Sequence, residues 1–316
     1  MMYFSRIRLR LGKVSRMAEE MAKGSYAMHQ LFWELFTEDG KRNFLFREEI
    51  AREQLGVQPD ARGEPVYYVV SSTRPRMDHP LFQVVEKVYR PQLLEGDTLK
   101  FELRANPVVN GKAERKNPEQ FLAERSKRDV KDKSKLTKRR IRHDVVMHEQ
   151  RMFLQELCSK LNLDDQQYAN QKKGELKQLL LSQAGQELDK NLTALLEGDA
   201  RYGDRLQYTL SLRDKLEWAI KARVDEALEK WMVLQGERNG FLIYKNKYGQ
   251  IKLQSSGYLW HSLREKDKQA KKPGFSSVEF TGELKVIDVA KFRGALFNGV
   301  GRSKAFGCGL LMVRRA

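Results

Sequence analysis

The amino-acid sequence predicts an α+β protein with tandem ferredoxin-like (RRM-like) domains and an inserted helical segment. Near each end of the chain, short strands with alternating apolar residues flank short helices. Near the start their order is βαββαβ, which is the order of a ferredoxin-like domain. The middle of the chain has leucines at three- and four-residue steps, a spacing typical of helices that pack on one another.

The first strand has one apolar and one basic face. Its apolar residues are Ile7, Leu9 and Leu11, and they alternate with Arg6, Arg8 and Arg10. The basic face either lines an RNA groove or is a solvated sheet face, and the sequence leaves both interpretations open. Ser25 predicts the N-cap of a helix that runs to about Phe36. Strands are predicted at 43–48 and 66–72, a short helix at 81–89, and a strand at 98–105.

A second set of elements is predicted towards the other end of the chain. It contains strands at 231–234 and 276–286, a helix from an Asp288 cap to Phe297, and a last strand at 309–314. We therefore predict four segments. They are an N-terminal ferredoxin-like domain with the helix at 25–36 (1–110), a basic linker and the start of the second domain (111–163), a helical insertion (164–230), and the remainder of the C-terminal ferredoxin-like domain with a glycine-rich loop (231–316).

The charge of the chain indicates a polyanionic partner. Lys and Arg number 59 against 42 Asp and Glu, which gives a net charge of +17. Basic residues are clustered at 125–142, where the only acids are Asp129 and Asp132, and again at 264–272. Solubility alone does not require clustering, so we expect a nucleic acid as the partner. The stretch at 125–142 is expected to be mobile until it meets that partner.

The glycine-rich loop near the end of the chain is the strongest local motif. Gly299, Gly301, Gly307 and Gly309 surround Arg302, Ser303 and Lys304. Glycines let a backbone approach a ligand closely, and the cations favour a phosphate chain. Mononucleotide-binding loops join a strand to a helix, whereas this loop follows a helix and enters a strand. A polymer is therefore the preferred ligand.

Several classes of protein are disfavoured. Cys158 and Cys308 match no metal-ligand spacing, and the five histidines form no cluster in the sequence. We therefore expect no metal and no cofactor. Nothing resembles a secretory leader or a membrane span, so the sequence predicts a cytoplasmic protein without disulfides and without a membrane partner.

Three stretches resemble a known family. They are Ser25-Tyr-Ala-Met-His-Gln-Leu-Phe-Trp-Glu-Leu-Phe36 with Asn43-Phe-Leu-Phe-Arg47, then Leu99-Lys-Phe-Glu-Leu-Arg-Ala-Asn-Pro107, and the glycine-rich run. Together they resemble the CRISPR-associated repeat endoribonucleases CasE, the crRNA-processing subunits of prokaryotic type I-E Cascade. The segment from about 118 to 230 is not covered by this resemblance and is longer than the family pattern.

The resemblance implies a metal-independent endoribonuclease. Such an enzyme cleaves a CRISPR repeat hairpin at the base of its stem and leaves a cyclic 2′,3′-phosphate and a 5′-hydroxyl. It then stays bound to the crRNA beside the other Cascade-type subunits and meets DNA only through that complex. A divergent type IV system is compatible with the same sequence.

The chemistry needs a proton acceptor, a proton donor and a cation, because the attacking group is the 2′-OH of the RNA itself. His29 is the expected donor to the 5′-oxygen. Tyr26 lies three residues earlier, on the same helix face, and is expected to orient the 2′-OH. The resemblance leads us to expect a basic or polar residue five positions after His29, where this chain has Glu34. The cation must therefore come from elsewhere, and the candidates are Lys23, Lys41, Arg42 and Lys304.

The RNA-binding residues are predicted in three places. They are Gly299, Gly301, Arg302, Ser303, Lys304 and Gly307 in the loop, Arg104 on a sheet face, and Arg128, Lys138, Arg139, Arg140 and Arg142 in the basic stretch. Tyr67, Tyr68, Tyr258 and Trp260 either stack on unpaired bases or pack in the core.

Two other functions are compatible with the sequence. One is a catalytically inactive subunit that only binds the crRNA hairpin. The other is a housekeeping RNA-binding protein with duplicated ferredoxin-like domains. The helical insertion is expected to serve packing or protein contact, and its deletion is predicted to spare RNA cleavage.

Overall fold

A computed structural model describes residues 1–10, 27–36, 43–49, 65–114, 119, 138–163, 171–208, 210–263 and 274–316. In chain order the elements are β1 (Tyr3–Leu9), α1 (Ala27–Trp33), β2 (Phe44–Glu49), β3 (Val66–Ser71), β4 (Phe82–Val88), β5 (Thr98–Ala105), β6 (Val108–Glu114), β7 (Lys138–Asp144), α2 (Val145–Lys160), α3 (Lys173–Gln183), α4 (Gly185–Glu197), α5 (Leu212–Arg238), β8 (Phe241–Ile243), β9 (Leu253–Ser262), β10 (Gly274–Val286), α6 (Val289–Asn298) and β11 (Leu311–Arg315). Short 3₁₀ turns lie at Gly203–Gln207 and Lys304–Phe306.

The chain forms two compact units. The first unit combines Met1–Pro107 with Glu229–Ala316, and the second unit is Val108–Leu228. The predicted division of the chain at residues 110, 163 and 230 stays a prediction.

The first sheet of the first unit has the strand order β2-β3-β1-β4, with antiparallel neighbours throughout. Its core is aromatic, because α1 presents Phe32 to one face of the sheet. The ring centroid of Phe32 lies 4.8 Å from that of Phe46, 5.2 Å from that of Tyr67 and 5.7 Å from that of Phe82.

The helix predicted at 81–89 is wrong. These residues form β4, where Phe82 and Val84 are buried while Gln83 and Val85 are exposed. This alternation has the period of a strand and not that of a helix. The strand predicted at 98–105 is confirmed as β5, but it pairs with β10 and β11 in the other sheet. We expected β5 to belong to the first sheet, and β4 occupies that position instead.

The second sheet has the order β11-β5-β10-β8, and β9 also pairs with β10. Read from the opposite edge, the first sheet has the order β4-β1-β3-β2, which corresponds strand by strand to β11-β5-β10-β8 in the second sheet. In both sheets the last strand of the repeat lies at one edge, the first strand lies beside it, and the strand before the last lies next to the first. The prediction of tandem ferredoxin-like domains is therefore confirmed. The second repeat is interrupted between its first strand, β5, and its first helix, α5, by the chain of the second unit.

The strand predicted at 231–234 is also wrong, because these residues lie in α5. Leu228, Trp231 and Met232 are all buried, which is the spacing of one helix face. The indole of Trp231 stacks on Phe280 of β10 at 5.5 Å. The predicted Asp288 cap is confirmed, since its side chain accepts a hydrogen bond from the Lys291 N–H at 2.9 Å.

The second unit contains the antiparallel ribbon of β6 and β7, the helices α2 to α4 and the first part of α5. Asp144 ends β7 and caps α2 by accepting from the Met147 N–H at 2.7 Å. Ion pairs join the helices: Arg223 to Glu149 at 2.8 Å and Lys215 to Asp189 at 2.7 Å. The helical character predicted for 164–230 is present in the residues that the structure describes.

Part of the basic stretch is ordered as β7. Residues 138–142, which we expected to be mobile, pair with β6 in the second unit. Residues 125–137 lie outside the described residues. In the described parts of the chain, no helix combines the length and the apolar composition needed to cross a membrane.

Candidate functional site

The glycine-rich loop joins α6 to β11 in the first unit and has an unusual backbone. The φ angles are 75° at Gly299, 79° at Gly301, 80° at Gly307 and 94° at Gly309. Ser303 is also left-handed, with φ 55°. Left-handed backbone is open to glycine at little cost, which explains why this run carries so many glycines.

The loop closes on itself and is attached to β5. A Cβ atom on Gly299 would lie 2.8 Å from the Gly309 carbonyl oxygen, and one on Gly309 would lie 2.8 Å from the Val300 carbonyl oxygen. The Val300 N–H donates to the Gly309 carbonyl at 2.9 Å, and the Gly309 N–H donates to the Arg104 carbonyl at 2.7 Å. The two ends of the loop are thus held together beside β5.

The polar side chains of the loop have different surroundings. Lys304 turns back on α6, and its Nζ donates to the Asn298 and Gly299 carbonyls at 2.6 and 2.8 Å. Asn106 donates through Nδ2 to the Ser303 Oγ at 2.7 Å. Arg302 is exposed, and none of the described residues forms an ion pair with it. Arg302 is therefore the loop cation that is open to a ligand.

Aromatic rings connect the loop to the hairpin of β9 and β10. Phe306 lies 4.9 Å from Phe275, which in turn stacks on His261 at 4.6 Å. The His261 Nε2 lies 2.8 Å from the Ser277 Oγ. Burial, and to a smaller extent the Arg104 guanidinium, lowers the pKa of His261.

Arg104 is engaged within the protein. Its Nε donates to Glu279 at 2.5 Å and its Nη1 donates to the Glu48 carbonyl at 3.1 Å. Arg47 pairs with the same Glu279 at 3.2 Å and with Glu49 at 3.3 Å. These contacts join the edge of the first sheet to the centre of the second, so the observed position of Arg104 serves the scaffold beneath the loop.

His29 lies on α1 and is only 3% exposed. Its Nε2 accepts a hydrogen bond from the Trp33 Nε1–H at 2.9 Å, and its ring lies 5.5 Å from that of Phe44. An indole nitrogen only donates, so the Nε2 of His29 carries no proton in this arrangement. The helix α1 is in contact with the turn Lys304–Phe306 of the loop.

Glu34 has a structural contact of its own. The Nδ1 of His79 accepts from the Leu81 N–H at 3.2 Å, which leaves the proton on Nε2 for Glu34, 3.3 Å away. Glu34 thereby fixes the chain after α1 to the segment that leads into β4. Three of the candidate cations, Lys23, Lys41 and Arg42, lie outside the described residues, as does Tyr26.

The other predicted RNA-binding residues lie in the second unit or outside the description. Arg142 is exposed on β7. Lys138, Arg139 and Arg140 belong to the same strand, but their side chains are outside the description, and so is Arg128 altogether. The structure thus brings together the loop, Arg104 and the helix of His29. The predicted aromatic residues differ in burial: Tyr67 is fully buried, whereas Tyr258 and Trp260 are 41% and 47% exposed.

Sequence reasoning missed Trp33, Phe306 and His261. Trp33 had a usable signal, because it follows His29 by four residues on the same helix and must therefore share its face. His261 and Phe306 had none, since their contact with Phe275 depends on strand pairing and loop closure. Among the residues described, no three His, Cys, Asp or Glu side chains group closely enough to hold a metal ion.

Comparison with known proteins gives a consistent result. The sequence matches the family described as CRISPR associated protein over residues 2–315. Similar solved structures include the CRISPR endoribonuclease Cse3 bound to a 19-nucleotide RNA, with 20% identity, TM-score 0.52 and 99% of each chain covered. Another is Thermus thermophilus Cse3 bound to an RNA that represents a pre-cleavage complex, with 19% identity, TM-score 0.50, and 99% of this chain and 98% of that one covered. Cas6e from Escherichia coli K-12 is 16% identical, with TM-score 0.44, and 99% of this chain and 100% of that one are covered.

The search of curated proteins gave no match. At these identities, the two Cse3 structures show a shared fold. The match to the family extends over nearly the whole sequence, and the chain therefore belongs to the CRISPR associated protein family.

Proposed function

We propose that this protein is an endoribonuclease that binds a CRISPR repeat hairpin RNA and cleaves it at the base of its stem. It then stays bound to the crRNA as a subunit of a surveillance complex. The main support for this proposal is the contact between the glycine-rich loop and α1, the helix that contains His29. Membership of the CRISPR associated family and likeness to Cse3 structures that contain RNA support this assignment.

In the proposed complex, the loop binds the RNA backbone near the scissile phosphate. Residues with positive φ alternate with others at Gly299, Gly301 and Ser303, and backbone that alternates in this way can form a concave site for anions. The exposed guanidinium of Arg302 adds a charge-assisted contact to phosphate. Lys304 holds the loop on the last carbonyls of α6 and leaves the phosphate to Arg302.

The proposed reaction is an internal transfer that requires no protein nucleophile. The 2′-OH gives its proton to water, its oxygen forms a bond to phosphorus, and the bond from phosphorus to the 5′-oxygen breaks. His29 gives a proton to that leaving oxygen, and Tyr26 orients the 2′-OH. Protonating the Nε2 of His29 breaks its hydrogen bond with Trp33, so RNA binding must move the indole away for the imidazolium to form.

A second candidate is a subunit that binds the crRNA hairpin without cleaving it. The burial of His29 and the occupation of its Nε2 by Trp33 favour this alternative. In both candidates the loop and Arg302 bind RNA. The two differ only in whether His29 transfers a proton.

Incubation of the full chain with its cognate repeat RNA in EDTA separates the two candidates. We expect the wild type to cleave, and His29→Ala to lose at least about 100-fold in rate while its Kd for the RNA stays the same, since a general acid contributes roughly 10²- to 10⁴-fold. Circular dichroism of His29→Ala and His29→Gln checks the fold. If the wild type leaves the RNA intact, the protein is a subunit that binds the hairpin without cleaving it. If His29→Ala cleaves at the full rate, His29 has no part in the mechanism.

A further inference from the structure

The side chain of Asn106 is a buried amide beneath the glycine-rich loop, and the proposed mechanism does not use it. Asn106 is the first residue after β5 and is only 5% exposed. Its Nδ2 donates to the Ser303 Oγ at 2.7 Å, while its Oδ1 is buried and accepts from none of the described residues. Burying an amide whose carbonyl has no partner costs free energy, so the turn at the end of a strand does not by itself explain an asparagine here.

Ser303 has an unfavourable backbone conformation at this contact. Its φ angle of 55° lies in the left-handed region, where a non-glycine residue persists only when its surroundings hold it. The Phe306 N–H donates to the Ser303 carbonyl at 2.9 Å, and the Asn106 amide donates to the Ser303 side chain. The position of the Ser303 hydroxyl is therefore fixed from two sides.

The base of the loop is also formed by Trp231 of α5. A Cβ atom on Gly301 would lie 3.5 Å from the Trp231 ring and 3.9 Å from the Asn106 carbonyl oxygen. Trp231 is itself buried and stacks on Phe280 of β10. Asn106 and Trp231 thus form a rigid base under the loop, and the contact between Asn106 and Ser303 transmits the position of this base to the loop.

The direction of the hydrogen bond decides what the Ser303 hydroxyl can bind. A serine hydroxyl donates one hydrogen bond and accepts others. Because the Ser303 Oγ accepts from Asn106, its own proton is left for a second partner, and none of the described residues accepts it. Ser303 is half-buried, so a ligand on the loop can reach this proton.

We propose that Asn106 is a positioning residue that directs the Ser303 hydroxyl toward a phosphate oxygen of the RNA backbone. Phosphate oxygens accept hydrogen bonds, and serine side chains are among their usual donors. The exposed guanidinium of Arg302, the preceding residue, supplies positive charge beside the hydroxyl. This inference rests on the proposed function in one respect, namely that the loop binds the backbone of repeat RNA.

Binding of the cognate repeat hairpin RNA to the full chain tests this role. Every protein in the test carries His29→Ala, so that the RNA stays intact. We expect Ser303→Ala to raise the Kd about 10- to 150-fold, the range for one hydrogen bond to a charged group. Ser182 is exposed on α3 and donates to the Leu179 carbonyl at 3.1 Å, so Ser182→Ala is the control and should keep the Kd. Equal values of Kd for the two variants would overturn the proposal.

A double-mutant cycle separates positioning from a general structural role. Asn106→Ala alone is expected to raise the Kd about 2-fold or more, as for residues of one hydrogen-bond network, and to add nothing when Ser303→Ala is also present. An Asn106→Ala effect of the same size in both backgrounds would show that Asn106 only supports the loop, and it would overturn the proposal. Urea denaturation checks the fold of each variant.

Asn106→Asp is the second variant, because it keeps the shape of the side chain but reverses the hydrogen bond. A carboxylate accepts from the Ser303 hydroxyl and turns its proton away from the RNA, so we expect a Kd at least as high as that of Ser303→Ala. A folded Asn106→Asp protein that keeps the original Kd contradicts the positioning role. A wild type that binds its repeat without cleaving it loses the proposed activity, and these measurements of Kd still decide the role of Asn106.

Discussion

Lys304 and Arg302 are two residues apart in the glycine-rich loop, yet their cations have different surroundings. The Lys304 ammonium donates to two carbonyls at the C-terminal end of α6, where a positive charge also suits the helix dipole. Arg302 is exposed to solvent. One cation therefore acts on the conformation of the loop, and the other is free to act on a ligand.

Replacing each cation by methionine should separate the two roles. We expect Lys304→Met to lower the free energy of unfolding by about 1–2 kcal/mol, because it removes two hydrogen bonds from a charged donor. Arg302→Met should change that free energy by less than about 0.5 kcal/mol, as is usual for surface positions. Urea denaturation measures both.

RNA binding should show the reverse pattern. Arg302→Met is expected to reduce the slope of log Kd against log salt concentration by about 1, the value for one lost phosphate contact. Lys304→Met should keep the slope of the wild type. An unchanged slope in Arg302→Met would remove this residue from the RNA contact.

The glycines of the loop were predictable from the sequence, and the role of Lys304 was not. Glycine at several closely spaced positions indicates left-handed backbone whatever the fold. The surroundings of Lys304 depend on how the loop folds back over α6, which sequence spacing does not encode. His29 shows the same limit, since its position on a helix was predictable but its burial against Trp33 and Phe44 was not.

Among the elements, the β9–β10 hairpin has a pH-sensitive contact. Burial lowers the pKa of His261 from its ordinary value of 6.5. The unfolded chain therefore takes up a proton at a higher pH than the folded chain does. This contribution to stability is fully present above about pH 6.5 and is lost as the pH falls toward the lower, folded pKa.

We expect the wild type to lose more stability than His261→Gln between about pH 7.5 and 5.5. Thermal unfolding followed across that range measures the difference. His148 of the second unit also has a lowered pKa, through burial first and His143 second, so His148→Gln is expected to reduce the pH dependence in the same direction and serves as a second test. Identical pH profiles for His261→Gln and the wild type would contradict the assignment.

The two elements that sequence reasoning predicted wrongly are short. Residues 231–234 are an apolar run, for which a strand and a buried helix segment look alike. Residues 82–88 alternate in burial at their start as a strand does, but the whole element has only seven residues. In β4 the choice follows from pairing with β1, and at 231–234 from the 27-residue length of α5. Strands with longer alternation, such as β5 and β10, were predicted correctly.

At the scale of the whole molecule, the two sheets, the glycine-rich loop and α1 all belong to the first unit. The second unit is inserted as a continuous segment, Val108–Leu228. From the sequence we predicted a helical insertion at 164–230 after a basic linker and the start of the second domain at 111–163, and these bounds stay a prediction.

Replacing Val108–Leu228 by a short Gly/Ser linker should give a folded protein that still cleaves repeat RNA. Circular dichroism and the EDTA cleavage assay measure the two properties. The shorter chain retains Trp231 and the rest of α5 that packs on β10. A folded deletion variant without cleavage would show that the second unit belongs to the RNA site.

The position of β5 has a consequence for the order in which this chain folds during synthesis. Its two neighbours in the sheet, β10 and β11, are made only after the whole of the second unit, and Arg104 is separated from Glu279 by 175 residues. Pairing over such a distance is slow, and a strand with two open edges is prone to aggregation meanwhile. The second unit has no such delay, because all of its contacts are available once Leu228 has been added. The insertion is therefore expected to be folded while the repeat that surrounds it is still incomplete.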